Sequence, residues 1–288
     1  MNANHLFKLA LPALLLASVT ARAALFQELP GLSTAAQNSL VAHFDARTGV
    51  AITAGEVTGW TPVDGDGDAL PGRAMTRTGQ LTGVISYDGD DTLSWTAPSG
   101  GTTGFLRGTL DGVPAGTAYT VFWRGQHTVP SASPSASHLF QLNTGSLLLG
   151  SGRRVSAGIP RIELWDDNIP FTGASIGAYD NQTTVWSTVF SGTTHRAYAN
   201  GTDLAVAGTP SYSLLANPTL SVGVLSGAGF FNGELSDLII FRSALSDADR
   251  VLVEGYLAAI PEPSVACAAG LLALFAGCRL SGHLWSRK

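Results

Sequence analysis

Short runs of β-branched and aromatic residues, separated by Gly, Asn and Asp turns, fill the sequence between Leu40 and Phe241. The clearest run is AYTVFWR, at 118–124, and the clearest turn is Asn200-Gly201, because a type I′ hairpin needs positive φ at both central residues. The spacing becomes helical only after Ser243. This pattern predicts an all-β fold, a two-sheet antiparallel β-sandwich with a short C-terminal helix.

The late helix begins with a serine, Ser246, that is suited to cap it. Its predicted core-facing residues are Ala248, Val251, Leu252 and Tyr256. A shorter helical turn is predicted over 33–40, with Ser33 as its cap. The predicted strands cover 40–45, 81–87, 92–96, 118–124, 138–142, 146–149, 161–165, 185–190, 195–199, 220–224 and 234–241.

The N-terminus has the layout of a secretory signal peptide. Lys8 is followed by an apolar stretch of about ten residues and then by the small residues Ala21 and Ala23 around Arg22. We expect residues 1–23 to be removed, which leaves Ala24 as the first residue of an exported body.

The C-terminus joins a rigid Pro-Glu-Pro element, Pro261, Glu262 and Pro263, to an apolar run and a basic end. The apolar run from 265 to 278 is shorter than the ~20 residues that span a bilayer, but its extension to 285 is just long enough for a transmembrane helix. The basic end is formed by Arg279, Arg287 and Lys288, which favour retention on the cytoplasmic side.

This order of elements over residues 260–288 resembles the PEP-CTERM sorting signal of Gram-negative bacteria. The resemblance implies processing by an exosortase, a membrane protease-transferase. It also implies passage through the secretion machinery and the inner membrane to the cell surface or the extracellular matrix. The alternative is a plain C-terminal membrane anchor, which also places the body outside the cytoplasm.

The body, residues 24–259, is poorly charged and rich in small residues. Charged residues make up 13% of the chain, and the net charge is −5. No basic face large enough to neutralise phosphates can be assembled, so we expect no nucleic-acid partner. Both cysteines, Cys267 and Cys278, lie in the tail, so the body has neither a disulfide nor thiol chemistry. Its length favours one large all-β domain.

Several motifs resemble, in their order, those of concanavalin A-like lectin/glucanase domains of the laminin-G-like type. They are HRAYANG at 195–201, LSVG at 220–223, FNGELSDLIIF at 231–241 and ALSD at 244–247, with weaker matches at 40–46 and 57–60. The resemblance covers about residues 39–259 and implies two stacked antiparallel sheets in a jelly roll. It also brings in two functions found on this fold, carbohydrate binding and glycoside hydrolysis.

An acidic turn, VDGDGD at 63–68, is the one candidate metal site. Asp64, Asp66 and Asp68 alternate, so three carboxylates can face one hard cation, and calcium is the cofactor for which the sequence offers ligands. Ala69 and Met75 stand where an EF-hand needs glycine and a bidentate acid, so the loop is not an EF-hand. The alternative is a solvated turn. The histidines at 43, 127, 138 and 195 show no metal-ligand spacing and are expected to be ordinary strand residues.

The residues around a nucleophile-elbow motif do not fit catalysis. GASIG at 173–177 matches a hydrolase nucleophile elbow around Ser175, but no helix is predicted after it.

The acid pair of a glycosidase is also incomplete in this sequence. Glycoside hydrolysis needs two carboxylates, and on this scaffold they follow a Glu-x-Asp-x-x-Glu pattern. The nearest approach, ELWDD at 163–167, has Trp165 in the strand phase of the aspartate and lacks the second glutamate. We therefore expect no enzymatic activity.

A loop-side sugar site is the remaining candidate. An exposed indole offers a flat apolar face with a polar edge, and Trp165 is the tryptophan with the most polar neighbours, Asp166, Asp167 and Asn168. The sequence therefore predicts an exported, non-catalytic, lectin-like surface protein that binds extracellular polysaccharide or serves a structural role. The alternative is a glycoside hydrolase of the same fold.

Overall fold

The computed structural model describes residues 29–78, 84–89, 91–96, 104–128, 136–144, 147–166, 169–206, 213–224 and 230–260. The strands, in chain order, are β1 (Leu40–Asp45), β2 (Val50–Thr53), β3 (Glu56–Trp60), β4 (Met75–Thr78), β5 (Val84–Tyr87), β6 (Leu93–Thr96), β7 (Phe105–Thr109), β8 (Tyr119–His127), β9 (Ala136–Thr144), β10 (Leu147–Ser156), β11 (Ile159–Asp166), β12 (Ile169–Ser175), β13 (Thr184–Phe190), β14 (His195–Ala199), β15 (Thr202–Asp203), β16 (Thr219–Val222) and β17 (Gly233–Phe241). The α-helices are α1 (Thr34–Ser39) and α2 (Asp247–Ala259).

The strands form two antiparallel sheets, which we call sheet A and sheet B. Sheet A has the order β15-β14-β13-β8-β17-β6-β5, and β1 also pairs with β17. Sheet B has the order β12-β11-β10-β9-β16-β7-β4-β3-β2. The predicted all-β, two-sheet antiparallel architecture with a short late helix is confirmed.

The main core lies between the two sheets. Strand residues alternate between faces, and the inward set supplies large side chains that are almost fully buried. Trp123 and Trp186 stack at 5.0 Å across the β8–β13 pair, and Phe231 meets Trp123 edge-on. Burial of such aromatic groups is the largest favourable contribution to folding a body without disulfides.

A second core lies between α2 and the outer face of sheet A. It contains Phe122, Ile239 and Phe241 from the sheet and Val253 and Leu257 from the helix. The helix begins at its predicted cap, because the Ser246 hydroxyl accepts the backbone N–H of Asp249 at 3.1 Å. The cap of α1 is also as predicted, with Ser33 accepting the N–H of Ala36.

The predicted apolar face of α2 is confirmed only in part, since Tyr256 packs against the second core. Val251 is 54% exposed, whereas Arg250 and Glu254 face the sheet and are buried. Glu254 accepts the hydroxyl of Ser187 at 2.6 Å, and the Arg250 guanidinium lies 3.7 Å from the ring centroid of Tyr198. The face of α2 that contacts the sheet therefore differs from the face predicted from apolar spacing, because these paired polar groups pack against the sheet.

The hairpin predicted at Asn200-Gly201 is confirmed. Both residues have positive φ, +46° and +79°, and they join β14 to β15. The strands that the sequence did not predict, β2, β4, β7 and β12 among them, belong to sheet B. β2 and β4 are short, and β7 and β12 are interrupted by Gly or Pro. Both features weaken the alternation of apolar and polar residues by which a strand is recognised.

Candidate functional site

The candidate site lies on the outer face of sheet B, on the three neighbouring strands β9, β10 and β11. Ile162 and Leu164 point inward to the core, so the alternating residues Arg161, Glu163 and Trp165 point outward. Sheet B thus presents on this face a row of one arginine, one carboxylate and one indole, at every second residue of a single strand.

Glu163 is the centre of the cluster. Its carboxylate is fully buried although it faces away from the core. One oxygen, Oε2, lies 2.9 Å from His138 Nε2 and 2.8 Å from Trp165 Nε1, and the other, Oε1, accepts Arg154 at 2.8 Å. Three donors from β9, β10 and β11 therefore converge on one side chain, and they fix the strands and the indole relative to one another.

A glycine makes this convergence possible. Gly152 on β10 pairs with His138 on one side and with Glu163 on the other, so it separates the two side chains in the sheet. A Cβ at position 152 would lie 2.6 Å from Cδ2 of the His138 ring. Because Gly152 has no side chain, the imidazole and the carboxylate meet above the strand that lies between them.

The indole of Trp165 reaches in the same direction. Its Nε1 lies 3.1 Å from His138 Nε2, two strands away from β11, and the two rings meet edge-on at 6.0 Å. The strand position beside Trp165 on β10 is also a glycine, Gly150. The ring nitrogen is therefore turned towards His138 and Glu163, and Trp165 as a whole is partly exposed.

The contacts keep Glu163 ionised. Burial by itself would raise the pKa of its carboxyl, but hydrogen bonds from His138, Arg154 and Trp165 outweigh burial and hold the pKa below its usual value. A general acid of a glycosidase needs the opposite, a carboxyl whose pKa is raised so that it carries a proton near neutral pH. Glu163 therefore acts chemically as a fixed anion that orients its neighbours.

The structure places the predicted sugar-site residues only in part. Trp165 is on β11, and Asp166 ends that strand, with its backbone paired to Leu149. Asp167 and Asn168 lie outside the described residues. The four other tryptophans of the body are at most 1% exposed, which leaves Trp165 as the one available for stacking among the described residues.

Sequence reasoning missed two members of the cluster, His138 and Arg154, and it missed the structural role of Glu163. The signal that was present is the alternation Gly150-x-Gly152, two glycines on one face of a strand. Such a pair marks a place where other groups approach the backbone closely. The partner strands were not known from the sequence, so the residues on either side of the glycines could not be identified.

The acidic turn at 63–68 is a compact loop. Asp64 Oδ1 accepts the backbone N–H groups of Asp66 and Asp68, both at 2.9 Å, while the side chains of Asp66 and Asp68 are exposed. One oxygen of the Asp64 carboxylate is thus used by the turn itself. Calcium binding at this loop stays a prediction.

A different group of potential ligands meets on the outer face of sheet A. Single ligand atoms of His43, Asp45 and Asp237 lie within 4.8 Å of one another, and His43 belongs to β1, as expected of a strand residue. Arg47 already occupies the group, since it donates to Asp45 at 2.6 Å and to Asp237 at 3.0 Å. The pairing of β1 with β17 creates this network, which the sequence separates by almost 200 residues.

Ser175 does not stand on a nucleophile elbow. It ends β12, and the residues that follow, Gly177–Tyr179, form one turn of 3-10 helix instead of an α-helix. The serine hydroxyl is therefore not raised on a strand-to-helix turn as that motif requires.

The two terminal segments lie outside the described residues, and their roles in export and sorting stay predictions. They include the signal cleavage residues Ala21 and Ala23, the sorting motif Pro261–Pro263 and the basic residues Arg279, Arg287 and Lys288. Over the residues that are described, no helix is both long enough and apolar enough to cross a membrane.

No protein-family model matches this chain. No curated protein matches it either. Among solved structures, one of botulinum neurotoxin type C has 10% sequence identity over 77% of this chain and 52% of its own, with a TM-score of 0.51. A structure of HCR/D has 12% identity over 77% and 52% of the two chains, with a TM-score of 0.50. The chain thus spans about half the length of these structures.

A third structure is domain 4 of AbnA, a GH43 extracellular arabinanase from Geobacillus stearothermophilus. It is 15% identical over 74% of this chain and 97% of its own, with a TM-score of 0.49. The similarity to the neurotoxin and HCR/D structures shows a shared jelly-roll β-sandwich fold.

Proposed function

We propose that the body is a non-catalytic, lectin-like domain that binds carbohydrate on the outer face of sheet B. The observation that carries the proposal is the fixed indole of Trp165. Its ring nitrogen is held by Glu163, and the residue is partly exposed. An indole that is held still loses little side-chain entropy on binding and offers an apolar surface on which a sugar ring can stack.

The surroundings of the indole support binding more than catalysis. Three donors bond the carboxylate of Glu163, and its pKa is lowered. The cluster therefore orients the indole and supplies a negative charge, but its carboxyl group holds no proton to transfer. The structure of similar fold from botulinum neurotoxin type C belongs to a toxin whose cell entry depends on two ganglioside molecules. Glycan binding on a sandwich of this fold is therefore a reasonable function to test.

The exported location is part of the same proposal. The N-terminal signal-peptide layout and the Pro-Glu-Pro, apolar and basic order of residues 260–288 support export followed by exosortase sorting in a Gram-negative host. Deletion of 261–288 should release the body into the periplasm or medium. Unchanged membrane fractionation and an unprocessed tail in both a normal and an exosortase-deficient host would contradict the sorting step.

The direct test is a glycan array probed with the full chain, with and without calcium. We expect binding to at least one class of glycan and its loss in Trp165→Ala, with Trp60→Phe as a matched control because Trp60 is buried in the core. If Asp66→Ala removes a calcium-dependent rise in melting temperature, the loop at 63–68 is the calcium site. A chain that binds no glycan in either condition would refute the lectin-like function.

A further inference from the structure

Two arginines stand directly opposite each other on the outer face of sheet B. Arg154 on β10 pairs with Arg161 on β11, which brings their Cβ atoms to about 5 Å. Like charges in this arrangement destabilise a sheet. A stable fold does not require such a pair, so it suggests a site that is used for binding.

Over the described residues, the carboxylate of Glu163 contacts Arg154 but does not neutralise the pair. Glu163 takes one N–H group of Arg154, through Nη1, at 2.8 Å. Arg161 donates from Nη1 to the backbone carbonyl of Gly173 at 3.0 Å, which carries no net charge. Each guanidinium has five N–H donors, so both arginines keep further donors, and the Arg154 side chain is 44% exposed. This face is therefore locally positive on a chain whose net charge is −5.

The site around Glu163 shows which anion this face accommodates. The carboxylate of Glu163 is bound between the Arg154 guanidinium and the Trp165 indole nitrogen, one oxygen to each. Planar carboxylates suit the fork of an arginine, which can bind both oxygens at once. Arg154, whose side chain is exposed, presents the same chemistry to the solvent, and its neighbour Arg161 is partly exposed.

We propose that the ligand of this site is a carboxylate-bearing polysaccharide, a polyuronate, with its sugar ring on Trp165 and a carboxylate on the Arg154–Arg161 pair. The inference rests on the proposed carbohydrate-binding function and adds the chemical class of the glycan. Trp165 lies four positions after Arg161 on one strand, a distance of about 13 Å, so the site suits a chain of sugars more than a single one.

The test compares four polymers at two salt concentrations: polygalacturonate, neutral laminarin, dextran sulfate and polyglutamate. The full chain should bind polygalacturonate at least about tenfold more tightly than any of the other three, the difference expected for one charge-assisted hydrogen-bond pair. Higher salt should weaken polygalacturonate binding and leave laminarin binding unchanged.

Variants identify the site. Arg161→Gln should weaken polygalacturonate binding about tenfold, and Arg161→Lys, which keeps the charge but not the fork, should weaken it less. Arg196→Gln is the control, because Arg196 is an exposed arginine on sheet A. Arg154→Gln should weaken binding in the same way as Arg161→Gln. Because it also removes a hydrogen-bond partner of Glu163, the Arg161 variants give the clearer test.

The outcomes separate the two proposals. Equal binding of laminarin and polygalacturonate, with loss of both in Trp165→Ala, would overturn the uronate inference and leave the lectin-like function standing. Equal loss in Arg161→Gln and Arg196→Gln, or equal binding of polyglutamate, would reduce the effect to overall charge and overturn the inference. Tighter binding of dextran sulfate would also overturn it, in favour of a sulfated ligand. Binding of none of the three saccharides would overturn the uronate inference, and both proposals would fall if the glycan array also showed no binding.

Discussion

Trp165 donates its indole N–H to Glu163, two residues earlier on the same strand, at 2.8 Å. Side chains two residues apart on a strand share a face, so this contact needs no turn or loop to form. It fixes the one partly exposed tryptophan among the described residues of the body through a carboxylate that is itself held by His138 and Arg154. The order of the site therefore depends on a buried anion.

Removal of that anion should loosen the site. We expect Glu163→Gln to lower the free energy of unfolding by about 1–3 kcal/mol, because one acceptor oxygen is replaced by an NH2 group that faces buried donors. Urea unfolding at neutral pH measures the loss, with Arg196→Gln on sheet A as a control that should change stability by less than about 0.5 kcal/mol. The same variant should also weaken glycan binding. Full stability in Glu163→Gln would mean that the three donors do not depend on the carboxylate.

The chain should not hydrolyse glycosidic bonds. The lowered pKa of Glu163 leaves no proton on the carboxyl that the sequence places nearest to a catalytic arrangement. A reducing-end assay on laminarin and polygalacturonate should show no sustained release above the buffer blank. Release that is abolished by Glu163→Gln, in a variant that still folds, would restore the glycoside hydrolase as the function of this fold.

A side chain at position 152 should separate His138 from Glu163. Gly152→Ala places a Cβ where the His138 ring lies, and we expect a loss of about 1–3 kcal/mol, the usual cost of overpacking. Gly116→Ala is the matched control, since its Cβ would meet nothing within 4 Å and its φ is not positive. Equal melting temperatures for the two variants would show that the strands adjust freely at position 152.

Stability should fall in mild acid because of His127. Its ring lies among Trp123, Trp186 and Phe231, and burial, with smaller contributions from Arg153 and His138, lowers its pKa from 6.5 to about 3. Below pH 6.5 the unfolded chain takes up a proton that the folded chain excludes, so stability declines as the pH falls from 6.5 towards 3. The full effect is on the order of 4 kcal/mol.

The variant His127→Phe tests this assignment. It should flatten the dependence of unfolding free energy on pH between 6.5 and 4 while it changes stability at pH 8 much less. Some slope should remain, because burial lowers the pKa of His195 to about 4 and this acts in the same direction. An unchanged slope in His127→Phe would assign the acid sensitivity to other groups.

The hairpin at Asn200-Gly201 should tolerate aspartate and resist a β-branched residue. Gly201 has φ of +79°, and its Cβ would meet only Glu254 at 3.7 Å, so the cost of Gly201→Val is conformational and not steric. We expect a loss of about 1–3 kcal/mol. Asn200→Asp should cost much less, since its side-chain oxygen can still accept the N–H of Val185. Thermal unfolding of the two variants side by side measures the difference.

The sequence by itself determined the local elements. The turn at Asn200-Gly201, the caps Ser33 and Ser246 and the central strands of sheet A follow from residue types within a few positions of one another. The partial exposure of Trp165 was also consistent with its polar neighbours. These features depend on sterics and hydrogen bonding between residues that are close in the sequence.

Only the tertiary structure decided which residues meet. His138, Gly152 and Glu163 become neighbours because β9, β10 and β11 pair in one register, and a shift of one residue would turn each side chain to the other face. The network of His43 with Asp237 likewise requires β1 to pair with β17. Strand pairing is set by burial over the whole sheet, so the sequence could indicate single residues of the site but not which residues would meet there.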